Sequence, residues 1–119
     1  MAATCIIVPC YNEANRINIA RFKNFNTSLD FLFVNDGSTD ETIDILKDLT
    51  ESIDNFQVLN LSKNVGKAEA IRQGVLSLDI IYDYIGYLDA DLSTPLSEIE
   101  RLHKIAVEKH KSIVMGSRV

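Results

Sequence analysis

Short apolar runs alternate along this chain with patterns of helical period. Thr4–Val8 reads T-C-I-I-V, nearly all apolar, as in a strand covered on both faces. Pro9 is expected to end it. Further strands are predicted at Asp30–Asn35 (D-F-L-F-V-N), Phe56–Leu61 (F-Q-V-L-N-L), Tyr84–Leu88 and Ser112–Met115. Between them, a helix is predicted from Thr39 to about Ile53. Ser38 and Glu41 have the spacing of a capping box there, and Ile43, Leu46, Leu49 and Ile53 share one face. A second helix spans Lys67–Leu78, with Ala68, Ile71, Val75 and Leu78 as its stripe and Gly74 as its weak point. A third opens at Pro95 behind a Thr94 cap and places Leu96, Ile99, Leu102 and Ile105 or Ala106 on one side. The segment Asn12–Phe25 has a poor pattern and is expected to begin with a helix. The order β-α-β-α-β-α-β-α-β predicts an α/β fold, a mainly parallel sheet with helices on both faces.

Composition narrows the class. A length of 119 residues, 46% hydrophobic, suits one domain with its own core. The net charge of −5 and the absence of a basic cluster argue against nucleic acid as a partner. They also argue against a surface that seeks anionic membranes. No stretch approaches the ~18 apolar residues of a spanning helix, and no basic flank with a long apolar run marks a signal peptide. Cys5 and Cys10 sit at odd spacing in one strand, so they should face opposite ways and remain reduced. A cytoplasmic protein is expected.

On this scaffold the polar residues gather at one rim. Tyr11, Asn12 and Glu13 follow the first strand, Asp36 the second, Lys63, Asn64, Gly66 and Lys67 the third, Asp89 and Asp91 the fourth, and Ser117 and Arg118 the fifth. Open parallel sheets bind ligands outside the carboxyl ends of their strands. Asp89 and Asp91, close together behind a buried strand, repel each other and lose water unless a cation lies between them. Mg2+ or Mn2+, held by one or two carboxylates and completed by substrate phosphates, fits that need. The plainer alternative is that one aspartate caps the next helix, a task for which Thr94–Pro95 is already placed. Asp36, in D-G-S-T, has its own alternatives: an Asx turn, or acceptance of hydrogen bonds from a base or ribose. Asn64-Val65-Gly66-Lys67 enters a helix, where backbone N–H groups can cradle phosphate. It is not a Walker loop, and no G-x-G-x-x-G is present. His103 and His110 are expected to be solvated.

Taken together, these strings resemble the family-two glycosyltransferases. I-I-V-P-C-Y-N-E-A-N-R-I is similar to their opening, F-V-N-D-G-S-T-D-E-T to their second motif and N-V-G-K-A-E-A-I-R-Q-G to their third. Y-L-D-A-D-L-S-T-P resembles their D-x-D segment, and M-G-S-R-V the G-S-R after the fifth strand. Within the family, D-A-D-L with G-S-R looks most like the dolichyl- or polyprenyl-phosphate mannose or glucose synthases. Ser93 stands where some mannose synthases carry glutamine.

The resemblance implies a Rossmann-like GT-A fold, a UDP- or GDP-linked sugar donor and inversion at the anomeric carbon. It implies that Pro9, Tyr11 and Glu13 line the nucleotide pocket, that Asp36 contacts base or ribose, and that Gly66 and Lys67 lie beside the nucleotide. Asp89 would sit near the ribose and sugar and Asp91 would bind the metal, the two being the catalytic candidates. Arg118 would meet a diphosphate or an acceptor phosphate. The acceptor would be a lipid phosphate or a glycan, at the cytoplasmic face of a membrane. Because the family's GT-A domain is longer, residues 1–119 are expected to be one nucleotide-sugar-binding domain, truncated at its C-terminus, with the catalytic base beyond Val119. Such a piece is expected to turn over slowly or not at all, and homodimerisation is one way it would cover apolar surface.

Three other readings stay open on the residues. A receiver-like signalling domain has this length and alternation but needs an acidic pair where Cys10-Tyr11-Asn12 stands. A nucleotidyltransferase needs a Gly-rich basic loop in place of P-C-Y-N-E. A non-catalytic nucleotide-binding module is the third.

Overall fold

The protein is described from a computed structural model covering residues 3–25, 28–79, 82–91 and 96–109, the side chains of 102 and 106–109 excepted. The elements run β1 (Thr4–Cys10), α1 (Ile19–Asn24), β2 (Asp30–Asp36), α2 (Thr42–Glu51), β3 (Phe56–Leu61), α3 (Lys67–Ser77), β4 (Tyr84–Tyr87) and α4 (Leu96–Lys109). The expected strand at Ser112–Met115, the cap at Thr94–Pro95, Ser93, His110, Ser117 and Arg118 lie outside the described residues.

The four strands form one parallel sheet in the order β3-β2-β1-β4. The chain steps one way from β1 to β3, then crosses back over β1 to β4. Right-handed crossovers therefore place α1 and α2 on one face and α3 on the other. The packing agrees. Ile6, Val8, Phe31 and Phe33 lie under Phe22 of α1, Leu46 and Leu49 of α2, and Leu96 and Ile99 of α4. Ile7, Leu32 and Val34 lie under Ala70 of α3. This order also separates the fold from a receiver domain, where β3 would lie beside β1.

Several local expectations are corrected. β1 does not end at Pro9 but runs to Cys10, with Pro9 in register opposite Val34. Pairing to β4 stops at Ile7–Tyr87, so Pro9 falls where β1 has an open edge, a position that tolerates proline. The first helix comes late in its segment, behind Asn18, whose side chain accepts a hydrogen bond from the Arg21 amide at 3.2 Å. The Ser38–Glu41 capping box does not form. α2 begins at Thr42, Glu41 makes no side-chain cap, and the Ser38 hydroxyl instead accepts from the Asn12 amide at 2.9 Å. On α3 the buried positions are Ala70 and Gly74, whereas Ala68 and Val75 of the expected stripe are exposed. Gly74 is there for contact: a Cβ would lie 3.0 Å from Val34 Cγ2 and 3.3 Å from Ile7 Cγ2. His103 is half-buried rather than solvated, 2.6 Å from the Thr4 hydroxyl and edge-on to the Tyr84 ring. Cys5 and Cys10 are free and buried on opposite faces, as their spacing predicts.

Candidate functional site

Crossing back over β1 leaves a gap between the carboxyl ends of β1 and β4, the place where such sheets receive ligands. A cleft of about 360 Å3 opens there. Pro9, Cys10, Tyr11 and Glu13 line it from β1 and its loop, and Asp36 from β2. Asn64, Gly66 and Lys67 come from the entry to α3, and Asp89, Ala90 and Asp91 follow β4. Pro9, Tyr11, Glu13, Asp36, Gly66, Lys67, Asp89 and Asp91 are thus brought together; Arg118 lies outside the described residues.

The loops around the cleft are sewn to one another through side chains. Asn12, with φ of 51°, sits in the left-handed region that asparagine tolerates better than most residues. Its Oδ1 accepts from the amides of Thr39 at 2.8 Å and Asp40 at 3.3 Å. The Glu13 amide donates to the Thr42 hydroxyl at 2.9 Å, which ties the β1 loop to the start of α2. Asp36, only 2% exposed, ties the next pair. Its Oδ1 accepts from the Val65 amide at 2.8 Å, and its Oδ2 from the Gly66 amide and Asn64 Nδ2, each at 3.1 Å. Beside it, Gly37 at φ 63° presses on the next loop. A Cβ there would stand 2.2 Å from the Asn64 nitrogen, so no other residue fits without moving backbone.

Across the cleft from these anchors stand the acids. Lys67 Nζ lies 2.7 Å from Asp89 Oδ1 and 5.4 Å from the centroid of the Tyr87 ring. Glu13 pairs with Arg16 at 3.3 Å. Its carboxyl is pushed up by burial; Arg16 pulls it back, and the charges of Asp91, Asp89 and Asp40 push it further. Glu13 thus lies within the field of Asp89 and Asp91. Among the described residues, no three His, Cys, Asp or Glu side chains converge to hold a metal ion unaided. The donor set fits a hard cation taken by one or two carboxylates and completed by phosphate oxygens and water.

Sequence reading missed Asn12 and Asn64 as organisers of the rim. Their signal was present in Y-N-E and N-V-G-K, since asparagine after a strand end commonly bonds loop backbone.

The model of the family "Glycosyl transferase family 2" matches residues 5–119, and the chain belongs to that family. It is 32% identical over 130 residues to the dolichyl-phosphate beta-glucosyltransferase ALG5C of Trichomonas vaginalis, covering 97% of this chain and 38% of that protein. It is 32% identical over 120 residues to the undecaprenyl-phosphate 4-deoxy-4-formamido-L-arabinose transferase of Photorhabdus laumondii, covering 95% and 36%. Among solved structures, S. aureus TarS 1-349 in complex with UDP superposes with a TM-score of 0.70 at 22% identity, over 91% of this chain and 33% of that one. The GT-A fold is therefore shared. The chain spans about a third of the length of the curated relatives it matches. Among the described residues, no helix is long and apolar enough to cross a membrane.

Proposed function

We propose that residues 1–119 form the donor-binding domain of a metal-dependent, inverting glycosyltransferase that takes a UDP- or GDP-linked sugar. The observation that carries this reading is the meeting of Asp89 and Asp91 with Asp36, Gly66 and Lys67 in one cleft at the sheet's switch point. Pro9 and Tyr11 offer walls for the base and ribose, and Glu13 closes that side. Asp36 holds the Gly66 loop through its bonds to the Val65 and Gly66 amides and Asn64, and has about one acceptor site left for the nucleotide. Asp91 and Asp89 would hold Mg2+ or Mn2+, and Arg118 would add a cation for a diphosphate or acceptor phosphate. A divalent ion in that place neutralises the charge that develops on the leaving diphosphate.

In an inverting transfer, the acceptor oxygen bonds to the anomeric carbon as the bond to the diphosphate oxygen breaks on the opposite side. A polyprenyl phosphate acceptor is already an anion and needs no base, whereas a glycan hydroxyl does. The relatives named for dolichyl and undecaprenyl phosphates support a lipid phosphate as acceptor.

Calorimetric titration with UDP and GDP, each with and without Mn2+, tests the reading on the wild type and on Asp91→Ala. Binding that requires the metal and is lost in the variant is expected. Binding indifferent to both metal and variant would sink it.

A further inference from the structure

The cleft has one feature that donor binding does not require: a lysine already seated on Asp89, one of the two carboxylates proposed to hold the metal. Lys67 is the first residue of α3, and its ammonium makes a direct ion pair with Asp89 while lying over Tyr87. The lysine side chain is 47% exposed and that of Asp89 27%, so the pair faces the cleft and not the core. Before Lys67 stands Gly66 at φ 95°, with open space where a Cβ would be. The lysine side chain, about half of it in solvent, has room to change partner.

A divalent cation and an ammonium compete for a carboxylate, since each raises the cost of the other's approach. A diphosphate entering the cleft offers a lysine displaced from Asp89 a new and more highly charged anion to meet. We propose that Lys67 and the metal ion are alternative partners of Asp89, and that Lys67 passes from Asp89 to the diphosphate when metal and nucleotide enter together. Lys67 then disfavours the metal alone and favours the metal with its nucleotide, which orders loading. Tyr87 keeps the ammonium near the cleft wall through the exchange. This inference rests on the donor-site reading above.

One substitution should move two affinities in opposite directions. In Lys67→Met, Mn2+ alone, followed by water-proton relaxation, is expected to bind roughly tenfold tighter, as removal of a neighbouring unit charge from a half-solvated site predicts. UDP or GDP titrated in saturating Mn2+ is expected to bind about tenfold more weakly, from the loss of a charge-assisted contact to phosphate. Lys67→Arg keeps the charge and should keep both wild-type affinities within a few-fold. A loss of packing in Lys67→Met would lower both affinities together, and that outcome overturns the exchange, as does unchanged Mn2+ affinity. If the wild type shows metal-dependent nucleotide binding but the variant lacks the opposed shifts, the exchange alone fails. If neither protein binds nucleotide in Mn2+, the donor-site reading fails and the exchange with it.

Discussion

The two faces of the sheet are built on different rules. On the face under α1, α2 and α4, large side chains fill the gap. Phe22 stands edge-on to Phe31, Phe33 and Phe56 at centroid distances of 6.0, 5.1 and 6.4 Å, and all four rings are buried. On the opposite face, α3 is the one helix among the described residues that lies over Ile7, Leu32 and Val34, and its most deeply buried positions there are Ala70 and Gly74. One face is held by volume and the other by the lack of it. The second arrangement brings the start of α3, with Gly66 and Lys67, close against the sheet end where the cleft opens.

Substitutions can break this contrast, beginning with the largest effect. Phe33→Ala removes a ring at the centre of the aromatic face and should cost about 3–5 kcal/mol in a urea or guanidinium melt. Gly74→Val should cost about 1–3 kcal/mol in the same melt by overpacking, since even a first carbon meets Val34 and Ile7. Thiol labelling then sharpens the comparison, because each face holds one cysteine. Burial pushes the Cys5 thiol up to about 12 and the Cys10 thiol up further, so almost no thiolate exists at neutral pH in the folded chain. Labelling with a disulfide reagent should therefore be slow, should accelerate as pH rises, and should reach Cys5 roughly tenfold sooner than Cys10 if the α3 face opens first. Equal rates for the two thiols would mean that the faces open as one. Gly74→Ala gains about 1 kcal/mol of helix preference against a 3.0 Å contact and should shift stability by less than that amount. Leu76→Gln, on the outer side of α3 at 67% exposure, should change stability by no more than about 0.5 kcal/mol.

The same contrast explains what could be read from the sequence. Periodicity of large apolar residues located Leu46, Leu49 and Ile99, because on that face size and burial go together. On α3 it located Ile71 and, at the C-cap, Leu78, which pack partly buried against the opposite face, but it put Ala68 and Val75 where Ala70 and Gly74 stand, because the most deeply buried residues there are the smallest ones and Gly74 looked like a flaw in the helix. The ends of β3 and the start of α3 were legible from composition and turn residues. The parallel sheet and the family followed from alternation and from five motifs in order. The cap of α2 was not legible, because Ser38 and Glu41 satisfy a local rule that a distant residue overrides: Asn12 draws Ser38 into the β1 loop. For the same reason, Asp36 in D-G-S-T gave no sign that its carboxylate reaches across to Val65 and Gly66. Bonds between loops that are far apart in sequence leave no period to detect.

The proline in β1 has a consequence for the shape of the whole sheet. The Ile7 carbonyl accepts from the Leu88 amide at 3.0 Å, so Ile7 turns its backbone groups towards β4. Two residues on, Pro9 has the same orientation and no N–H to offer. Had any other residue stood there, β1 and β4 could have gone on zipping past Leu88 and drawn Asp89 and Asp91 into the ladder. The missing tooth stops the zipper one step short, and the two strands part at that point to leave a mouth in the sheet.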